Sequence, residues 1–231
     1  AEGECAKIVA RETFPTAEPT KTLARVRDWL ASHDFDALGV ASFGPIEPRR
    51  DRTKYGYITT TPKPGWRNVD VLGGLGAATF GVPIAFDTDV NAPAVAEFRA
   101  ARAAGAPTLT STAYMTVGTG IGVGLVINGA PVHGMLHPEA GHCPAPPPPT
   151  DDGWRNTLGH CIPSGIEANV SAPALAARAR IEQSELASLP DSHPVWELCV
   201  HYLAVLCVDL TLITSTERIV IGGGVLARES L

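Results

Sequence analysis

The sequence predicts an α/β protein made of two lobes rather than one doubly wound sheet. Two observations carry this. Strand and helix patterns alternate through the first half of the chain, whereas the second half opens with a hairpin meander and continues into helices. The composition agrees: of 231 residues 45% are apolar and 18% charged, with 23 glycines and 20 prolines but only 6% aromatics. This apolar share excludes a disordered chain, and prolines without a period exclude a fibre. The division is placed near Pro107, giving lobes 1–107 and 108–231.

In chain order, Thr20 or Thr22 is expected to cap a helix running to Ser32, with Leu23, Val26 and Leu30 on one stripe. Residues 37–43 are short and apolar and stop at Gly44-Pro45, which predicts a buried strand. The polar stretch 47–68 is too long for an ordinary connection, and its Tyr55, Tyr57 and Trp66 argue for an ordered part of a binding cleft. Residues 71–80 read as a helix weakened by Gly73, Gly74 and Gly76, residues 83–86 as a strand, and residues 91–104 as an alanine-rich helix. Residues 111–117 and 122–127 then form consecutive strands. The Asn128-Gly129 dipeptide favours a type I′ turn and returns the chain into a strand at 130–133. Residues 144–149 are a proline-rich loop. Helices follow at 172–187 and 195–213, the second with Cys199 and Cys207 as core residues, and a last strand at 218–221 runs into Gly222-Gly223-Gly224.

Charge and cysteine content narrow the function. Eighteen basic against twenty-four acidic residues give −6, and no basic block is longer than residues 49–52, so a nucleic-acid partner is not expected. Five scattered cysteines do not make a disulfide framework, which points to a reducing cytoplasm. The first residues have no signal-peptide pattern. Neither residues 103–138 nor 194–213 offer an uninterrupted apolar run, so no membrane span is expected.

Three segments could carry chemistry. Gly118-Thr119-Gly120-Ile121-Gly122 follows a strand and opens into another strand, which separates it from dinucleotide and P-loop motifs that open into helices. Such a turn lets backbone N–H groups approach phosphate oxygens; a plain tight hairpin explains it equally well. In Phe86-Asp87-Thr88-Asp89-Val90-Asn91, a carboxylate at a strand end can accept the proton of an attacking alcohol. If the strand continues, Asp89 and Asn91 share a face; Asp87 competes for the base role, and Asn91 could simply cap a helix. In residues 137–142, Glu139 and His142 could together read neighbouring hydroxyls, with Glu167 as a further contact or as an ordinary helix-start charge.

Taken in order, residues 39–45, 55–59, 61–67, 86–91, 118–122, 137–142 and 222–225 resemble the ROK-family sugar kinases over roughly residues 14–231. The wording around Pro62 and His137 is similar to the fructokinase branch. This resemblance implies an actin-like (ribonuclease H-like) fold with a cleft between two lobes, and phosphorylation of fructose by ATP with Mg²⁺. It implies Asp89 as catalytic base toward the 6-hydroxyl, and Asn91, Glu139, His142 and Glu167 at sugar-contacting positions. Gly118, Thr119 and Gly120 would hold the phosphates of ATP, with Gly222 and Gly223 at the nucleoside end. It also implies a cytoplasmic enzyme and a homodimer.

The sequence departs from the family's pattern in three places. Residues 1–11 lack the family's first phosphate loop, and the chain stops soon after Gly224, so the fold is expected to be incomplete at both termini. The family's structural zinc site would retain only His142 and Cys161, with His160 and Cys143 beside them. Four correctly spaced donors are needed for a closed site, so zinc is expected to be lost. The alternative to an active kinase is a non-catalytic sugar-binding protein or a degenerate fragment of a ROK protein.

Overall fold

The computed structural model describes residues 7–154 and 162–227. By its contacts the chain forms two compact units. One comprises residues up to Ala92 with His133–His137; the other comprises Pro93–Val132 and the residues from Pro138 onward.

The first unit opens with helix α1 (Pro19–Leu30). Its N-cap is Glu18 rather than a threonine: the carboxylate accepts from the amides of Thr20 and Lys21, each at 3.0 Å. Pro19 fits the first helical turn, where its missing N–H costs nothing. Thr22 instead accepts from the Ala17 amide through Oγ1. Leu23 is buried against a core of Leu38, Ile46, Ile58, Trp66, Val71 and Phe86, with Val26 and Leu30 packed at its margin, as the stripe requires.

Strands β1 (Leu38–Ser42) and β4 (Ile84–Thr88) pair in parallel from Leu38↔Ile84 to Ser42↔Thr88. Between them a short antiparallel ladder joins β2 (Tyr57–Ile58) to β3 (Val69–Asp70), and the single turn of α2 (Val71–Gly74) follows. The polar stretch is ordered, but its Trp66 belongs to the core: the ring is buried, meets Phe43 edge-on, and donates Nε1–H to the Ala17 carbonyl at 3.0 Å. β4 runs into α3 (Asn91–Ala103), and the two units divide within this helix, after Ala92.

The second unit is built on a four-stranded sheet in the order β7-β6-β5-β8. β5 (Ser111–Val117) and β6 (Ile121–Ile127) form a hairpin in register from Ser111↔Ile127 to Val117↔Ile121. The turn into β7 (Ala130–Pro131) is the one the dipeptide predicts, with φ of 53° at Asn128 and 77° at Gly129. β8 (Ile219–Gly222) pairs in parallel with β5.

Both faces of this sheet are covered. Ala94, Phe98 and Ala101, one stripe of α3, pack with Leu109 and Val126 on one side. Met115, Val117, Ile121 and Val123 point the other way, into a core with α4 (Ile166–Val170), α5 (Ala172–Ala179) and α6 (Val195–Thr214). The expected helix 172–187 is interrupted. Arg180 takes a left-handed φ of 58°, and a 3₁₀ turn over Gln183–Ser188 replaces the rest. Helix α6 is long and apolar enough to cross a membrane by length and composition alone, yet Trp196, Cys199, Tyr202, Leu203, Leu206 and Leu210 are core residues of this unit. Burial pushes the Cys199 thiol up to about 12, so it stays protonated and inert.

One carboxylate ties the start of β5 to the approach of β8. Glu217 Oε2 accepts from the amide and hydroxyl of Thr110 at 2.8 and 2.7 Å and from those of Ser111 at 2.8 and 3.0 Å. These bonds, the Thr110 hydroxyl foremost, lower its pKa from 4.5 to about 2. A carboxyl depressed on folding adds stability above its unfolded value, and that stability is lost as pH falls through the folded one. Glu217→Gln should therefore melt below wild type at neutral pH, with the gap closing between pH 4.5 and about 2. Melting curves across that window check this; a gap independent of pH would exclude the carboxylate as its source.

Candidate functional site

In the first unit, chemistry gathers where β4 ends. The strand stops at Thr88, so Asp89 lies in the turn before α3 and Asn91 opens the helix; the two do not share a strand face. The reason is local. Thr88 Oγ1 accepts the Asn91 amide at 2.9 Å and starts the helix, while the Asp89 amide donates to the Ser42 carbonyl at 2.9 Å, one residue beyond the ladder. Asn91 is fully buried and does not serve as the cap.

Asp89 is reached by solvent, yet the protein crowded around it desolvates the carboxylate and raises its pKa above 3.8. Its own amide, His137 and Lys63 pull the other way without prevailing. Once ionised, such a carboxylate is a better proton acceptor than an ordinary aspartate. Asp87, the other candidate base, is engaged: it accepts from Asn91 Nδ2 at 2.9 Å and from its neighbour Thr88's amide at 2.8 Å, and it meets His133 Nε2 at 3.0 Å. His137 is buried, and its Nε2 accepts the Ile46 amide at 3.2 Å.

In the second unit, Gly118, Thr119 and Gly120 form the turn between β5 and β6, closed by the Gly118 amide on the Gly120 carbonyl at 2.9 Å. Neither glycine of this turn takes a positive φ. A Cβ at Gly120 would stand 2.6 Å from Glu167 Oε2, whereas one at Gly118 would meet nothing within 4 Å. Glu167, in the first turn of α4, accepts the Ile121 amide through that same Oε2 at 2.7 Å. It therefore braces the glycine turn, a role the sequence did not suggest.

Gly222 ends β8 opposite Thr116, and Gly223 follows with φ of 105°. A Cβ at Gly223 would lie 2.6 Å from the Val117 nitrogen, so only glycine allows this approach. Both glycine segments thus sit at the same end of two parallel neighbours, β5 and β8, the carboxyl end where α/β sheets bind ligands.

Glu139 and His142 flank the 3₁₀ turn Ala140–His142, which lies so close to β6 that a Cβ at Gly141 would strike the Ile121 carbonyl. His142 stands between two carboxylates, with Nε2 4.0 Å from Glu139 and Nδ1 4.0 Å from Glu167. At that range neither is a hydrogen bond, and Nδ1 is buried with no hydrogen-bond partner among the described residues. Five of the expected residues of this unit (Gly118, Gly120, Glu139, His142 and Glu167) are in this way joined through direct contacts or one intervening strand.

Metal binding was tested on the same atoms. His142 supplies one orphaned nitrogen, but Cys161 and His160 lie outside the described residues. Among the described residues no group of three or more His, Cys, Asp or Glu is placed to hold a metal. No chemistry is assigned to a zinc ion.

Comparison with solved structures gives the class first. The described coordinates match a ROK hexokinase from Thermus thermophilus with a TM-score of 0.69 at 24% identity, covering 93% of this chain and 73% of that one. They also match a ROK glucokinase from Streptomyces griseus, solved with glucose and AMPPNP, with a TM-score of 0.67 at 20% identity, covering 90% and 73%. The fold is the actin-like one of these sugar kinases. The family model of ROK proteins matches residues 2–231, and the chain belongs to the ROK family. Among curated relatives, the fructokinase of Pediococcus pentosaceus is 36% identical over 99% of this chain and 76% of its own length. That of Zymomonas mobilis is 38% identical over 95% and 73%. Both belong to the branch to which the wording around Pro62 and His137 pointed.

Proposed function

We propose that the chain is an ATP-dependent fructokinase that phosphorylates the 6-hydroxyl of fructose in the cytoplasm. The observation that carries this reading is its identity of 36% and 38%, over nearly its whole length, to proteins named fructokinase. Each unit supplies residues suited to a part of it. Asp89, raised in pKa and reached by solvent, takes the proton of the attacking hydroxyl. Asn91, Glu139 and His142 bind the remaining hydroxyls, and Glu167 bonds the amide next to the turn Gly118–Gly120. That turn holds the phosphates, and Gly222 with Gly223 the nucleoside end. When bound, ATP with Mg²⁺ supplies the phosphoryl group and offsets its charge. The protein's own contribution is positioning: little covalent chemistry is asked of it.

The test is ADP release with MgATP and fructose, with the sugar phosphate identified by ³¹P NMR and with mannose and glucose as competitors. Fructose 6-phosphate as the preferred product is expected. Fructose binding by calorimetry without ADP release would identify a sugar-binding protein instead.

A further inference from the structure

We infer that His133 is a positioning residue for the sugar end of the site, acting through Asp87 on Asn91. This inference rests on the reading that Asn91 contacts the sugar; the dyad itself does not.

All three residues belong to the first unit, to which the segment His133–His137 returns. Asp87 comes from β4, Asn91 from the start of α3, and His133 from 46 residues beyond Asp87. Asp87 Oδ1 accepts from Asn91 Nδ2 at 2.9 Å, and His133 Nε2 stands 3.0 Å from both carboxylate oxygens. His133 Nε2 and Asn91 Nδ2 approach to 3.3 Å, two donors converging on one acceptor.

The chemistry of that acceptor fixes both partners. An ionised carboxylate only accepts hydrogen bonds, so whatever faces it must donate. Asn91 therefore turns its NH₂ toward Asp87, and its carbonyl oxygen points away from the carboxylate. A buried amide has two orientations 180° apart, and Asp87 selects the one that turns the NH₂ toward itself. His133 is held in the tautomer that carries the proton on Nε2. The side chains of Asp87 and His133 are only 20% and 28% exposed, so water competes weakly for these bonds.

The segment that carries His133 is fastened independently. His137 accepts the Ile46 amide within the same unit, and a Cβ at Gly44 would lie 2.9 Å from that ring nitrogen. His133 thus approaches Asp87 from a fixed support. Without it, Asp87 keeps the Thr88 amide on Oδ1 but loses the donor shared by both its oxygens, and its hold on the Asn91 amide weakens.

Steady-state kinetics of His133→Leu and His133→Gln test this. His133→Leu is expected to raise the KM for fructose about tenfold, with the KM for ATP unchanged. His133→Gln, whose amide can donate to Asp87, should restore most of the loss. A KM for fructose within twofold of wild type in His133→Leu, or an equal rise in both KM values, would overturn the inference. Wild-type turnover is measured first, because its absence counts against the fructokinase reading alone. Long-range ¹H–¹⁵N NMR then decides the dyad without any activity: the Nε2–H tautomer of His133 is expected in wild type, and the Nδ1–H tautomer would refute it.

Discussion

Asp89→Asn is expected to lower kcat with fructose by roughly 10²–10⁴-fold, the usual share of a general base, with the KM for ATP little changed. The substitution keeps the size and the backbone bond to Ser42 while removing the proton acceptor. The wild-type pH profile should carry the same signature. The base must be ionised to act, and burial raises its pKa above 3.8, so kcat/KM should fall on the acid side at a higher pH than an ordinary aspartate gives. Stability should move in the opposite sense. A carboxyl whose pKa rises on folding binds its proton more tightly in the folded state, so stability declines as pH rises through the folded value and the charge opposes folding above it. Asp89→Asn should therefore melt no lower than wild type at neutral pH. Turnover in Asp89→Asn as fast as wild type would remove Asp89 from the chemistry.

The second large effect concerns folding. Arg178 and Asp151 form an ion pair at 3.1 Å, with side chains only 4% and 1% exposed. Burial alone would raise the Asp151 pKa, but hydrogen bonds from Arg178 and from the Tyr202 hydroxyl at 3.0 Å hold it below the ordinary range. Arg178 also donates to the Asn169 side chain at 2.7 Å and to its carbonyl at 3.0 Å, and it lies over the Trp154 ring at 4.6 Å. The network fastens the end of the proline-rich loop to α4, α5 and α6. Asp151→Ala leaves the buried guanidinium with only the exposed Asp152 carboxylate, 4.0 Å away, as a counter-charge, and should cost about 3 kcal/mol by urea denaturation. Asp151→Leu combined with Arg178→Met should recover much of this, because no charge is then stranded. A loss under about 1 kcal/mol in the single variant would show that water reaches the pair.

Much of this was legible because it is local. Asn128-Gly129 dictates its own turn, since both residues accept a positive φ. The apolar periodicity of α6 and the strands around Gly118 likewise need no distant partner. The break at Arg180 was not legible. Nothing in an alanine-rich run announces a left-handed arginine, and it is held there by bonds from the amides of Arg180 and Ile181 back to Ala177 and Ala176. The end of β4 was misread because Thr88, not Asn91, caps the helix, and both are good capping residues. The same ambiguity hid Glu18 behind Thr20 and Thr22. The division after Ala92 falls inside a helix, where no composition shift marks it.

For the site, candidate residues could be named from the sequence and their couplings could not. The expected sugar contact Glu167 bonds the Ile121 amide 46 residues away, and Asp87 meets His133 over the same separation. The one hint of the latter was two histidines, His133 and His137, four apart in a loop.

The parallel pairing of β5 with β8 has a consequence for how the chain is made. Ser111 and Glu217 are 106 residues apart, so on the ribosome β5 emerges long before the strand that covers its edge. Until then a row of backbone donors and acceptors beside Ala113 and Met115 stays open to any extended neighbour. Nascent chains of this protein are therefore most vulnerable to misassociation during the synthesis of their second half, and slower translation there lengthens the exposure.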